Sequence, residues 1–133
     1  MLNLAFTNQY LENLYENRED KVLIVCEKID EQSLLIEKCL DAGVLEDNIF
    51  NHNSIFNIKE ALNGEISHII INARLYNYFV FSVLDKFVAE KRLSILIYHG
   101  DDEHKTIRLI TDERLLHINK NTTALLLRKL LDE

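Results

Sequence analysis

Three continuous apolar runs recur along the chain and predict strands that are buried on both faces. They are Val22–Cys26, Ser67–Ala73 and Leu93–His99. Two weaker runs, Asn48–Asn53 and Leu115–Ile118, predict two further strands. A helical pattern follows most of these runs, which is typical of a chain that alternates strands with helices.

Apolar residues at helical spacing predict the main helices. The first is expected to begin at Asp30, a favourable N-cap, and to end at Gly43, which accepts the left-handed conformation found after many helices. The second is predicted within 76–90, where one side carries an apolar stripe. The last covers Thr122–Leu131 and is expected to begin at Asn121 or Thr122.

This alternation predicts right-handed strand–helix–strand crossovers and a parallel sheet covered by helices on both faces. Ligand sites in such sheets lie beyond the carboxyl ends of the strands, near the point where the strand order reverses. The residues at these ends are therefore the candidates for a site. They are Cys26, Glu27, Asn72, Ala73, His99, Gly100, Asn119 and Lys120.

Composition narrows the class of protein. The chain has 133 residues, of which 47% are hydrophobic, which suits a single folded domain. Its formal net charge of −7 disfavours general binding to nucleic acid. Its apolar runs are too short to span a bilayer. The two cysteines, Cys26 and Cys39, are too few for a disulfide framework, so we expect reduced, buried thiols in a cytoplasmic protein without a membrane partner.

Several motifs that carry chemistry are missing from the sequence. Its three scattered glycines form neither a dinucleotide-binding nor a P-loop motif. The five histidines lack the paired spacing of a metal-binding helix. His99 and His104 flank the acidic run 101–103, but we interpret this stretch as a solvated loop. We therefore predict no metal and no cofactor.

An additional apolar stripe precedes the first strand. It consists of Tyr10, Leu11, Leu14 and Tyr15, after Thr7 as a helix cap. We therefore divide the chain into a helical extension, 1–20, and an α/β domain, 21–133. The extension either packs on its own domain or binds a partner or a second copy of the chain.

The strand ends resemble those of a known family. The segments KVLIVCE, SHIIINAR, SILIYHG and LLHINK, in this order and at these spacings, are similar to the receiver domain of bacterial response regulators. The resemblance covers about residues 21–133 and lies in layout more than in identity. It implies a three-layer α/β/α fold with five parallel strands in the order 2-1-3-4-5.

The resemblance also implies a site. Receivers carry two acidic residues after the first strand, which hold Mg²⁺, and an aspartate after the third strand, which accepts a phosphoryl group. A Ser or Thr followed by a small residue ends the fourth strand, and a lysine follows the fifth. Lysine and metal neutralise the charge of the transferred group.

The match to this pattern is partial. Glu27, Gly100 and Lys120 fit an acidic position, the small residue and the lysine. The remaining positions depart from the pattern. Cys26 replaces one acidic residue, Asn72 replaces the phosphoryl acceptor, and His99 replaces the Ser or Thr. His117 occupies a position where receivers commonly have an aromatic switch residue. Asn121 replaces the proline that usually follows the lysine.

These departures predict a pseudo-receiver that is not an enzyme. An amide does not accept a phosphoryl group, and one carboxylate holds Mg²⁺ poorly. Glu27 is expected either to pair with Lys120 across the pocket or to be a plain surface acid. Asn72 is expected to bond to the backbone. A regulatory module of this kind would act by binding other proteins or a second copy of itself in a homodimer. We expect the contacts to involve the N-terminal stripe together with Leu126, Leu127 and Leu130 of the last helix.

Two alternatives from other classes stay open. The stretch 22–50 loosely resembles the psi subunit of the bacterial clamp loader, a small non-catalytic α/β protein, although 76–99 adds a helix and a strand that this comparison leaves unexplained. A second alternative is an α/β protein that binds a small molecule or anion, or an enzyme, in a strand-end pocket of Glu27, His99 and Lys120.

Overall fold

The computed structural model describes residues 20–55, 58, 66–76, 78–89, 93–100 and 115–132. A parallel sheet with the order β2-β1-β3-β4-β5 forms its centre, as predicted. The strands are β1 (Lys21–Val25), β2 (Ile49–His52), β3 (Ile66–Asn72), β4 (Ser94–His99) and β5 (Leu116–Asn119). The described α-helices are α1 (Ile29–Asp41), α2 (Tyr78–Ala89) and α3 (Ala124–Leu131), and short 3₁₀ turns cover Glu46–Asn48 and Ala73–Leu75.

The apolar runs form strands because both faces of the sheet are covered. Successive side chains of a strand point to opposite faces, so each run feeds two hydrophobic clusters. Val22 and Ile24 pack with Leu35 of α1 and Leu127 of α3 on one face. The opposite face packs on α2 and on Ile58. The three-layer architecture predicted from the sequence is therefore confirmed.

The observed helix ends agree only partly with those predicted from the sequence. Gly43 adopts a φ of 97° after α1, which confirms the predicted left-handed stop. The N-cap prediction at Asp30 is wrong, because α1 begins at Ile29 after Lys28 and the Asp30 carboxylate accepts from the Glu31 N–H. The last helix is capped by Thr123 and not by the predicted Asn121 or Thr122: Thr123 Oγ1 accepts the Leu126 N–H over 3.1 Å.

Polar side chains fix α3 against its surroundings. Lys38 Nζ donates to the Thr122 carbonyl over 2.7 Å, ahead of the helix. At the other end, Arg128 Nη1 donates to the Ala42 carbonyl over 2.9 Å, and His68 Nε2 lies 2.8 Å from the Leu131 carbonyl. These bonds join α3 and the residues ahead of it to α1, to the residue that follows α1, and to β3.

Several predictions fall outside this description. The N-terminal stripe of Tyr10, Leu11, Leu14 and Tyr15 and the segment 101–114 lie outside the described residues, and so does most of the 1–20 extension. In the part of the chain that is described, no helix is both long and apolar enough to cross a membrane.

Candidate functional site

The carboxyl ends of β1 and β3 meet at the point where the strand order reverses. The two strands pair in parallel, with Val25 beside Ile71. Cys26 and Glu27 follow β1, and Asn72 is the last residue of β3. The structure therefore brings these three predicted residues to one edge, where Asn72 Nδ2 lies 3.9 Å from Cys26 Sγ.

Asn72 is fully buried, and both ends of its amide are bonded. Its Oδ1 accepts the backbone N–H of Arg74 over 2.8 Å, which caps the 3₁₀ turn after β3. Its Nδ2 donates to Glu31 Oε2 over 2.5 Å. The backbone bond agrees with the structural role expected of Asn72, whereas the contact with Glu31 was not expected.

Glu31 is the centre of this site, although the sequence analysis did not single it out. It lies in the first turn of α1, and its side chain is only 13% exposed. One oxygen, Oε2, accepts from Asn72 and from the Cys26 thiol, whose sulfur is 3.4 Å away. The other, Oε1, lies 3.1 Å from Arg74 Nη2 and 3.9 Å from Lys28 Nζ. A side chain from α1 thus fills the crevice between the two strands.

Arg74 joins two carboxylates at this edge. In addition to Glu31, its Nε donates to Glu27 Oε1 over 2.8 Å. Glu27 therefore pairs with Arg74, and not with Lys120 as one reading of the sequence expected. We call Glu27, Glu31, Asn72 and Arg74 the crevice network.

The thiol of Cys26 is inert in this setting. Burial, together with the hydrogen bond to the neighbouring Glu31 carboxylate and its negative charge, raises its pKa to about 11. A thiol with such a pKa stays protonated near neutrality, so it donates to Glu31 and is a poor nucleophile. Cys39 is buried in the core, where desolvation raises its pKa to about 12. Both cysteines are free thiols, as predicted.

A cleft of about 280 Å³ opens beside the crevice network. Two predicted site residues, Gly100 and Lys120, lie in its wall. The other lining residues are Lys28, Asp30, Glu31, Leu34, Arg74 and Tyr98. The cleft is the solvent-facing side of the same site, since Glu31 and Arg74 belong to both.

The two predicted histidines form a pair away from this network. His99 Nε2 lies 2.7 Å from His117 Nδ1, and the rings stack with centroids 5.0 Å apart. Burial lowers the pKa of both rings, and the neighbouring His117 lowers that of His99 further. His99 Nδ1 is buried and has no partner among the described residues, so a proton there would be an unpaired buried N–H. The geometry therefore favours a neutral pair.

The predicted contact leucines of α3, which are Leu126, Leu127 and Leu130, differ in burial. Leu126 is 47% exposed, and its neighbour Leu125, which was not part of the prediction, is 50% exposed. Leu130 is partly buried against the core. Leu127 is fully buried in the chain's own core, so the prediction that it forms a contact surface is wrong. Consecutive leucines cannot share one face of a helix, and Leu127 is the one that faces the sheet.

Several solved structures share the fold of this chain. One is the crystal structure of a response regulator receiver domain protein from Bacillus halodurans, with 21% identity and a TM-score of 0.59, covering 86% of this chain and 96% of that chain. The fold is that of a receiver domain. A yeast Spc42 trimeric coiled coil fused to another structure matches with 13% identity and a TM-score of 0.63, covering 88% of this chain and 79% of that chain. No protein-family profile and no curated protein matches the sequence.

The receiver fold implies Mg²⁺ at this edge, but the crevice network does not fit that ion. Mg²⁺ requires several oxygen ligands in near-octahedral geometry. Here the carboxylates of Glu27 and Glu31 already share the guanidinium of Arg74, and Asn72 directs its NH₂ group toward Glu31. A divalent cation would have to displace Arg74 or lie against its positive charge. Among the described residues, no group of three His, Cys, Asp or Glu side chains converges on one point.

Proposed function

We propose that this chain is a non-catalytic pseudo-receiver, a signalling module that acts through contacts with other proteins and without phosphorylation. The observation that supports this most is the crevice network. At the end of β3, where receivers carry the phosphoryl acceptor, the chain has the buried amide of Asn72.

The chemistry of Asn72 is unsuited to phosphoryl transfer. The phosphoryl acceptor of a receiver is a carboxylate oxygen with an available lone pair, whereas an amide oxygen is a weak nucleophile. The Oδ1 atom of Asn72 is also engaged with the Arg74 N–H. An incoming phosphoryl group would in addition meet the carboxylate of Glu31, which is bonded to the same amide. Like charges at this distance repel strongly in a partly buried site.

Protein contact is the output that the exposed surface supports. Leu125 and Leu126 are consecutive residues in the first turn of α3 and are each about half exposed. Large apolar side chains that stay exposed in neighbouring positions often mark an interface. We expect these two leucines to contact a protein partner, either a different protein or a second copy of the chain.

Phosphorylation is tested by incubating the protein with acetyl phosphate and Mg²⁺ and measuring its intact mass. We expect no increase in mass, while a conventional receiver domain treated in parallel gains one phosphoryl group. Stoichiometric modification of this chain would refute the proposal.

The contact surface is tested separately by light scattering after size-exclusion chromatography. If the chain self-associates, Leu126→Lys should weaken the association. Leu45→Lys is the matched control, because Leu45 is a comparably exposed leucine in the turn after α1, outside the predicted interface. A strict monomer at high concentration would exclude the homodimer and leave a different protein as the partner. Equal weakening by both substitutions would show that α3 is not the interface.

A further inference from the structure

The Glu31 carboxylate is surrounded by hydrogen-bond donors as a bound anion would be. Its two oxygens face the Asn72 amide, the Arg74 guanidinium and the Cys26 thiol, while the Lys28 ammonium lies slightly farther away. Amide and guanidinium groups arranged around one point are the usual means by which proteins bind oxyanions. The difference here is that the anion belongs to the chain itself.

We propose that these donors form a latent binding site for a small oxyanion such as inorganic phosphate, and that Glu31 is its resident ligand. The proposal rests on the proposed function, because it assumes non-covalent binding without metal at this edge. A free oxyanion binds when the Glu31 carboxylate leaves the crevice.

The charges around the site balance only while Glu31 is present. Three cationic side chains and three carboxylates meet at the crevice and its cleft: Lys28, Arg74, Lys120, Glu27, Asp30 and Glu31. Loss of one carboxylate leaves an excess of one positive charge, which attracts an anion. The cleft gives that anion access from solvent, because Glu31 and Arg74 lie in its wall.

Glu31 competes with an outside anion because it is tethered. A group on the same chain has an effective concentration on the order of millimolar or more, and this concentration is higher when the backbone holds the group close to its binding site. The first turn of α1 holds Glu31 in position, so weak anions do not displace it. Removing its side chain is therefore expected to raise phosphate affinity at least tenfold.

The experiment measures phosphate binding by calorimetry at constant ionic strength in three variants of the full chain. Glu31→Ala is compared with Glu37→Ala, which removes the same charge from an exposed position of the same helix. Arg74→Met is then added to the Glu31→Ala chain. We expect Glu31→Ala to bind phosphate at least tenfold more tightly than Glu37→Ala, and the added Arg74→Met to abolish that gain.

Two outcomes would overturn the proposal. One is equal phosphate affinity in Glu31→Ala and Glu37→Ala, and the other is a gain that survives the loss of Arg74. If Glu31→Ala does not fold, Glu31→Ser is judged by the same comparison with Glu37→Ser, since it also removes the charge and empties the crevice. Failure here leaves the acetyl phosphate result unchanged, so the two proposals are tested independently.

Discussion

Replacing Arg74 by methionine would remove the only cation that the described contacts place between Glu27 and Glu31, while keeping most of the side-chain stem. The two bonds it breaks differ in burial. Arg74 Nη2 lies 3.1 Å from Glu31, whose side chain is 13% exposed, and Nε lies 2.8 Å from Glu27, whose side chain is 44% exposed. The loss should therefore come mainly from Glu31.

The size of this loss follows from the degree of burial. Exposed ion pairs contribute about 0–1 kcal/mol, whereas removing one partner of a buried pair costs about 3–5 kcal/mol. The Arg74–Glu31 pair lies between these limits, since Arg74 itself is 28% exposed. We expect Arg74→Met to lower the free energy of unfolding by about 2 kcal/mol, and Glu27→Gln by less than about 1 kcal/mol.

Urea unfolding followed by circular dichroism measures these values. With a urea m-value of roughly 2 kcal/mol per molar, Arg74→Met should lower the midpoint by about 1 M. Combining it with Glu31→Gln should recover about 1 kcal/mol, because the carboxylate then left without Arg74 is only the more exposed one of Glu27. A loss below about 0.5 kcal/mol for Arg74→Met, or an equal loss for Glu27→Gln, would refute the reasoning.

Three further predictions concern other parts of the chain. Burial lowers the pKa values of His99 and His117 in the folded chain, so on acidification the unfolded chain binds protons at these histidines first. The stability that the neutral pair contributes is therefore complete above pH 6.5 and is lost as the pH falls through the lower pKa values of the folded chain. His117→Gln should weaken this pH dependence in urea unfolding. Glu31→Gln should lower the pKa of Cys26 and speed its alkylation by iodoacetamide, measured across alkaline pH. His68→Phe should cost about 1–3 kcal/mol, measured by urea unfolding, because it removes a bond to the Leu131 carbonyl.

Each of these has a control within the chain. His52→Gln, at an exposed position of β2, is the control for His117→Gln; an equal change in pH dependence from both substitutions would contradict the role of the histidine pair. Cys39 is buried in the core away from Glu31, so its alkylation should not respond to Glu31→Gln. For His68→Phe, Ser67→Ala removes the neighbouring hydroxyl; a smaller loss for His68→Phe than for Ser67→Ala would show that the bond to α3 contributes little.

The strand pattern of this chain is predictable because burial on both faces leaves a strong signal. A run such as Val22–Cys26 has no polar residue to face solvent, and only a sheet between two helical layers accommodates it. Gly43 is similarly informative, since a positive φ favours glycine. The N-cap prediction at Asp30 failed for a local reason: the N-cap is Lys28, two residues earlier, so the Asp30 carboxylate falls inside the first turn of the helix.

The crevice network was only half predictable. Cys26, Glu27 and Asn72 follow apolar runs directly, so parallel pairing places them together. Glu31 and Arg74 carry no such signal, since charged residues near strand ends are usually solvated. A usable indication was the spacing itself. Glu31 lies in the first turn of the helix after β1, which faces the same edge, and Arg74 follows Asn72 by two residues, as in an Asx turn.

The most direct test of the central claim is the amide NMR spectrum of the wild-type chain, recorded with Mg²⁺ before and after addition of beryllofluoride, which mimics an aspartyl phosphate. If the crevice is held by Glu31, Arg74 and Asn72, the amide signals of these residues stay where they are. Saturable shifts at Asn72 and Arg74, seen only when Mg²⁺ and beryllofluoride are both present, would contradict the account.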